Sequence, residues 1–291
     1  MHITHRLSMP AARITFAFEQ ALTENRGVLI PYFMCGYTSA SQSIQLALAA
    51  AQMGADIIEL GMPFSDPLAD GATIQHAGQI ALENGMTIRG CFEIAVEISA
   101  RSDIPLILMG YYNPILVYGL EPFCQRAAAS GVCGLIIPDL PPEEAEPLQR
   151  AAQKHGLSLI FLIPPTTPDE RITHIAKMAS NGYGSFLYCV ALNGVTGVRA
   201  TLPADLQAFI HRVYDYTKEY HLPLAIGFGI SKPEHVTELI AFAEGVVVGS
   251  AVVKLIDKHE HAEEKQIEAV KDYISSLREA CLDKKNIETR S

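Results

Sequence analysis

Short apolar runs alternate along the chain with longer stretches in which apolar residues recur at three- and four-residue spacing. A run without alternation fits a strand buried on both faces, as in a parallel sheet, and each periodic stretch fits an amphipathic helix packed on that sheet. The runs are Val28 to Met34, Ala55 to Leu60, Ile104 to Met109, Cys133 to Pro138, Leu157 to Ile163, Ser185 to Val190, Pro223 to Gly227 and Gly245 to Val248. The periodic stretches cover about 40–53, 72–100 in one or two pieces, 120–130, 143–155, 168–180, 203–219, 232–242 and 262–281. A further one at 9–25, closed by Asn25-Arg26-Gly27, precedes the first run. Eight strand-helix units predict an α/β fold, a (β/α)8 TIM barrel with an extra N-terminal helix, as a single domain over residues 1–282. An open doubly wound sheet shows the same alternation and stays the alternative, because counting does not show closure. Residues 283–291 are charged, lack apolar anchors and read as a disordered tail without a role.

In a barrel the chemistry belongs to the loops after the C-terminal ends of the strands. The unusual residues gather there: Gly36-Tyr37, the segment Gly61 to Gly71, Gly110-Tyr-Tyr-Asn-Pro114, Asp139-Leu-Pro-Pro142, Pro164-Pro165, Asn193 to Gly197, Gly227 to Ser231, and Gly249-Ser250. The loops of the opposite end are plainer and more polar.

Composition narrows the function. With 291 residues, 49% hydrophobic and 19% charged, the chain supports a large core and is far from the disordered class. A net charge of -10 without a basic block argues against nucleic acid and anionic membrane surfaces. The six cysteines form no CxxC pair and no zinc spacing, so they read as reduced core residues of a cytoplasmic protein. No run fits a signal peptide or a membrane span. His259-Glu-His261 reads as a solvated face rather than a metal site, and His76 as a base, a cap or a packing residue. No metal site is expected.

The stretch Glu59-Leu-Gly-Met-Pro-Phe-Ser-Asp-Pro-Leu-Ala-Asp-Gly71 places two carboxylates, Glu59 and Asp70, around a loop stiffened by Pro63 and Pro67. Such a loop holds side chains in aim. Glu59 ends an apolar strand, which suits an active-site edge or a solvated strand mouth. Asp66 and Asp70 suit ligand contacts or, equally, helix caps and turns. Late in the chain, Gly194-Val-Thr-Gly197, Gly227-Phe-Gly229 and Gly249-Ser250 follow the sixth, seventh and eighth strands. Their backbone N–H groups can converge on a phosphate without a lysine, although each turn also suits a plain strand end.

These residues resemble the α subunit of tryptophan synthase. Ile58 to Gly71 agrees with that family's signature almost position by position, supported by Pro31-Tyr32, Met109 to Asn113, Pro138 to Pro141, Gly194 to Gly197, Gly227 to Ile230 and Gly249 to Ala251. The resemblance implies a lyase that cleaves indole-3-glycerol phosphate to indole and glyceraldehyde 3-phosphate. It implies no cofactor in this chain, and a β subunit partner that carries pyridoxal phosphate in an α2β2 heterotetramer. Carried over, Glu59 is the acid-base at indole C3, Asp70 binds the indole N–H and stays charged in a polar loop, and Tyr188 lines the pocket. Tyr32 and Ile74 sandwich the ring, while Thr196, Gly197, Gly229, Gly249 and Ser250 bind the phosphate. Pro63, Asp66 and Asp139 face the partner. The chain departs from the family at Ala191-Leu192, where many members carry serine and often arginine. Rival expectations are another phosphate-binding barrel enzyme, a regulatory subunit without catalysis, and a lyase that works alone.

Overall fold

In the computed structural model, residues 9–181, 185–190, 205–227 and 229–282 are described. The chain enters through α1 (Ala12–Thr23) and continues as β1 (Val28–Met34), α2 (Ala40–Gln52), β2 (Ile58–Gly61), α3 (Ala72–Glu83), α4 (Ile88–Ser99) and β3 (Leu106–Met109). There follow α5 (Tyr112–Tyr118), α6 (Leu120–Ala129), β4 (Val132–Ile136), α7 (Glu146–Lys154), β5 (Ser158–Ile163), α8 (Asp169–Ser180) and β6 (Leu187–Val190). The last elements are α9 (Leu206–Thr217), β7 (Leu224–Gly227), α10 (Pro233–Ile240), β8 (Gly245–Val248), α11 (Ser250–Asp257) and α12 (Glu263–Cys281).

Every strand pairs parallel with its sequence neighbours, and β8 returns to β1 through Val28↔Gly245 to Pro31↔Val248. The sheet is therefore closed, and the open doubly wound alternative falls. All eight expected runs are strands, β1 and β8 with the expected ends and the others one to three residues shorter at one end, while β2 runs one residue further at its end and β4 starts one residue earlier.

Two helices fall where the sequence reads as turns. Pro114 lies in the first turn of α5, where its missing N–H has no helical partner to lose, so the proline that suggested a turn in fact starts a helix. Ser250 is the first residue of α11, directly after Gly249. Local capping sets other starts: the Ser39 hydroxyl accepts from Gln42 N at 3.0 Å before α2, and Thr87 from Gly90 N at 3.1 Å before α4.

The period of two along each strand divides the core. Leu29, Phe33, Leu60, Leu108 and Leu135 pack outward against the helices, while Ile30, Ile57, Ile107, Ile160 and Phe186 fill the barrel axis. Helix α1 closes the N-terminal end of that axis with Ile14, Phe18 and Ala21. Phe18 meets Phe186 at a tilt with centroids 5.4 Å apart, and Phe186 stacks on Tyr188 at 6.4 Å, an aromatic ladder from the plug to the opposite mouth. All six cysteines are buried and free, as expected of core residues. No helix among the described residues is long and apolar enough to cross a membrane.

Candidate active site

The barrel axis opens at the C-terminal ends of the strands into a cavity of about 1100 Å³. Along β2 and the residue just before it the inward positions are Ile57, Glu59 and Gly61. Ile57 belongs to the axial core, and Glu59, one step nearer the mouth, lines the cavity while only 1% exposed. Its Oε2 has no hydrogen-bond partner. Burial, then the nearby Asp70 charge, pushes the Glu59 carboxyl up to about 8.

Asp70 reaches the same cavity from the β2–α3 loop. It caps nothing: Gly71 holds the N-cap position of α3, without a side-chain cap. The turn that carries it is tied by Asp70 N to Pro67 O at 3.0 Å and by Gln75 Nε2 to Asp70 O at 2.9 Å. The expectation of a polar loop needs correction here. Asp70 is partly buried, and desolvation raises its carboxyl to about 6 against a lowering hydrogen bond from Tyr111. It remains charged at neutral pH, by a smaller margin than an exposed aspartate.

Tyr111 is the residue that sequence reasoning missed. Its hydroxyl also accepts from Ala69 N at 3.0 Å, and its ring meets Phe64 at 5.3 Å, so it clamps the loop to the end of β3. The signal available was its position directly after Gly110 at a strand end.

Tyr32 and Tyr188 both line the cavity, Tyr32 buried and Tyr188 partly buried, and desolvation, then the two carboxylates, raises both phenols well above their usual range. Each ring leans over a glycine of the next strand. A β-carbon at residue 61 would overlap the Tyr32 hydroxyl, and one at residue 227 the Tyr188 hydroxyl. Glycine supplies the missing volume at both points. Ile74, from the first turn of α3, also lines the cavity.

Gly229, Gly249 and Ser250 line the same cavity. Gly249 precedes α11 without a side-chain cap, leaving the first N–H groups of that helix open to an anion. Gly229 has φ +43°, and the buried Ser231 hydroxyl beside it has no partner. No lysine is among the lining residues described. Thr196, Gly197 and the Ala191-Leu192 departure lie outside the described residues. The chain also matches the family pattern described as tryptophan synthase alpha chain over residues 18–282.

The chain belongs to the tryptophan synthase alpha chain family.

A relative from Roseiflexus sp. (strain RS-1), a tryptophan synthase alpha chain, is 47% identical over 268 residues, covering 92% of this chain and 99% of that protein. The tryptophan synthase of Saccharomyces cerevisiae is 43% identical over 263 residues, covering 89% of this chain and 36% of the longer yeast protein. Among solved structures, the Legionella pneumophila tryptophan synthase alpha chain superposes with a TM-score of 0.83 at 36% identity, covering 92% of this chain and 97% of that one. A chain of the Pyrococcus furiosus tryptophan synthase complex gives 0.77 at 38% identity, covering 87% and 98%. Tryptophan synthase alpha chains are lyases that cleave indole-3-glycerol phosphate, and this chain is the lyase subunit of its family.

The remaining candidates separate. Asp139 lines the cavity and accepts from Tyr112 N at 2.9 Å, anchoring the start of α5. Asp66 is exposed, with the Ser65 hydroxyl donating to it at 2.6 Å, and Pro63 is partly exposed nearby. His76 is exposed on α3 and outside the cavity lining, which leaves it no part in the site. Among the described residues, no cluster of histidine, cysteine and carboxylate groups could hold a metal, and His261 is exposed.

Proposed function

We propose that Glu59 is the acid-base of the lyase reaction and Asp70 its electrostatic partner. The observation that supports this is the pair itself: two carboxyls in one cavity, one pushed to about 8 and the other to about 6. At neutral pH the first holds a proton and the second a charge, which divides their roles. Tyr32 and Ile74 bracket the indole ring, and Asp70 accepts its N–H. Glu59 protonates C3, and Asp70 stabilises the indolenine cation that forms. The Glu59 carboxylate then takes the proton of the hydroxyl on the carbon attached to C3. The carbon–carbon bond breaks, its electron pair returns to the ring as indole, and glyceraldehyde 3-phosphate leaves with the new carbonyl. Protons and electrons balance without a cofactor in this chain.

Thr196, Gly197, Gly229, Gly249 and Ser250 hold the phosphate. Binding energy from this unreacting end orients the reacting one. Tyr188 walls the cavity next to Glu59.

The partner is a tryptophan synthase β subunit that holds pyridoxal phosphate, in a cytoplasmic α2β2 assembly. Family membership supports the pairing, and a solved relative is a tryptophan synthase complex. Pro63, Asp66 and Asp139 would face it. Leu68, 93% exposed in the same loop, and Val117, 81% exposed on α5, are the apolar surface such an interface needs.

Indole release from indole-3-glycerol phosphate, with and without a β subunit, tests the reading. Glu59→Gln should lower kcat by about 10²–10⁴-fold with binding retained. Activity of that variant near the parent level would reassign the acid-base. Asp66→Lys should weaken β binding without loss of folding, and unchanged affinity would move the interface elsewhere.

A further inference from the structure

Tyr32 carries a hydroxyl that a ring wall does not need. That oxygen is buried with the rest of the side chain, and its hydrogen-bond contact is the thioether of Met34, Sδ at 3.7 Å, a weak acceptor. The register sets Tyr32 directly opposite Glu59. The phenol then leans past Glu59 into the volume left open at Gly61, where its Cζ would lie 2.5 Å from a β-carbon. Residues 59 and 61 share a strand face, roughly 7 Å apart along it, and a glutamate carboxyl reaches about half that distance from its β-carbon. A donor without a strong acceptor therefore stands above a carboxyl whose Oε2 has no donor.

On the reading of Glu59 given above, we propose that the Tyr32 hydroxyl is a positioning donor for Glu59: it leaves the thioether and hydrogen-bonds the carboxylate created when Glu59 gives its proton to indole C3. The gain arises only after proton transfer. While Glu59 is protonated, the phenol has a neutral neighbour; once the carboxylate forms in this buried place, a charge-assisted bond replaces a weak one. Stabilisation confined to that stage raises kcat rather than affinity. The other ionisable groups facing Glu59 are Asp70 from the β2–α3 loop and Tyr188 from β6, with Tyr111 and Cys35 further out around Tyr32.

Tyr32→Phe keeps the ring and removes one oxygen. Its kcat and KM for indole-3-glycerol phosphate should be measured from pH 5.5 to 9.5 beside the parent and Glu59→Gln, each with the β subunit present. The expected result is a kcat lower by about 10-fold, a KM within about twofold, and an alkaline limb displaced upward, because a lost donor to the charged form raises the Glu59 pKa. A thermal melt matching the parent shows that the variant is folded. An unmoved limb with kcat within about twofold overturns the inference, as does a change confined to KM, which would make Tyr32 a ring wall alone. If Glu59→Gln retains the parent's activity, the acid-base assignment itself fails, whatever Tyr32→Phe does.

Discussion

The hydroxyl of Tyr188 occupies the space that a β-carbon on residue 227 would need, with its Cε1 2.5 Å from that point. Tyr188 pairs in register with Ala225, and the glycine lies two residues farther along β7. Tyr32, Glu59 and Gly61 repeat the same relation between β1 and β2. Closely set phenols thus depend on strand glycines. Gly227→Ala should fold, since the added methyl points into the cavity, but it must push the Tyr188 ring toward the substrate. A displacement of about 1 Å can cost on the order of 10²-fold, so kcat/KM should fall by about 10- to 100-fold. Steady-state kinetics beside a melting curve distinguish this from unfolding.

The split carboxyls predict a bell-shaped pH dependence of kcat/KM. Asp70 must be charged, so activity rises as pH passes about 6; Glu59 must hold its proton, so activity falls as pH passes about 8. Asp70→Asn should lower the maximum and remove its share of the acid limb. Rates across pH 5 to 9.5 check both limbs.

Stability should carry the same signature. The folded pKa of Glu59 is raised from 4.5 to about 8, so between those values the folded state holds a proton the unfolded chain has lost. Its stabilising effect is complete below pH 4.5 and is lost as pH rises through about 8. Glu59→Gln removes the titration. The variant should therefore gain on the parent as pH rises, by at least about 1 kcal/mol or 2–4 °C in Tm at pH 9 relative to pH 5. Melting curves at the two values test the sign.

A second buried charge cluster is structural. Asp56 accepts from Leu29 N at 2.9 Å and pairs with Arg26 at 2.9 Å and Arg278 at 3.2 Å, joining the start of β2 to β1 and α12. Arg26 is 3% exposed. Burial raises the Asp56 carboxyl despite the backbone hydrogen bond and both arginines. Asp56→Ala leaves the buried Arg26 with only the half-exposed Glu24 as counter-charge and Leu29 N without its acceptor, and about 1–3 kcal/mol of stability should go with it. Urea denaturation at pH 7 measures the loss.

Periodicity was enough to read the alternation of strands and helices, because a run such as Val28 to Met34 is set by its own residues and their two-sided burial. The Glu59 to Gly71 stretch also read as a site edge, since two acids in a proline-stiffened loop are a local feature. Pro114 misled, as a proline reads alike in a turn and in a first helical turn. What lay beyond the linear chain was convergence. The return of β8 to β1, the partial burial of Asp70, the clamp by Tyr111, and the lean of Tyr32 and Tyr188 over Gly61 and Gly227 all arise from contacts between residues distant in sequence or in neighbouring strands. Register and closure set those contacts, and no short window of sequence encodes them. The kinds of groups available to the reaction follow from the residues in order; their distances, burial and proton affinities follow from the barrel that gathers them.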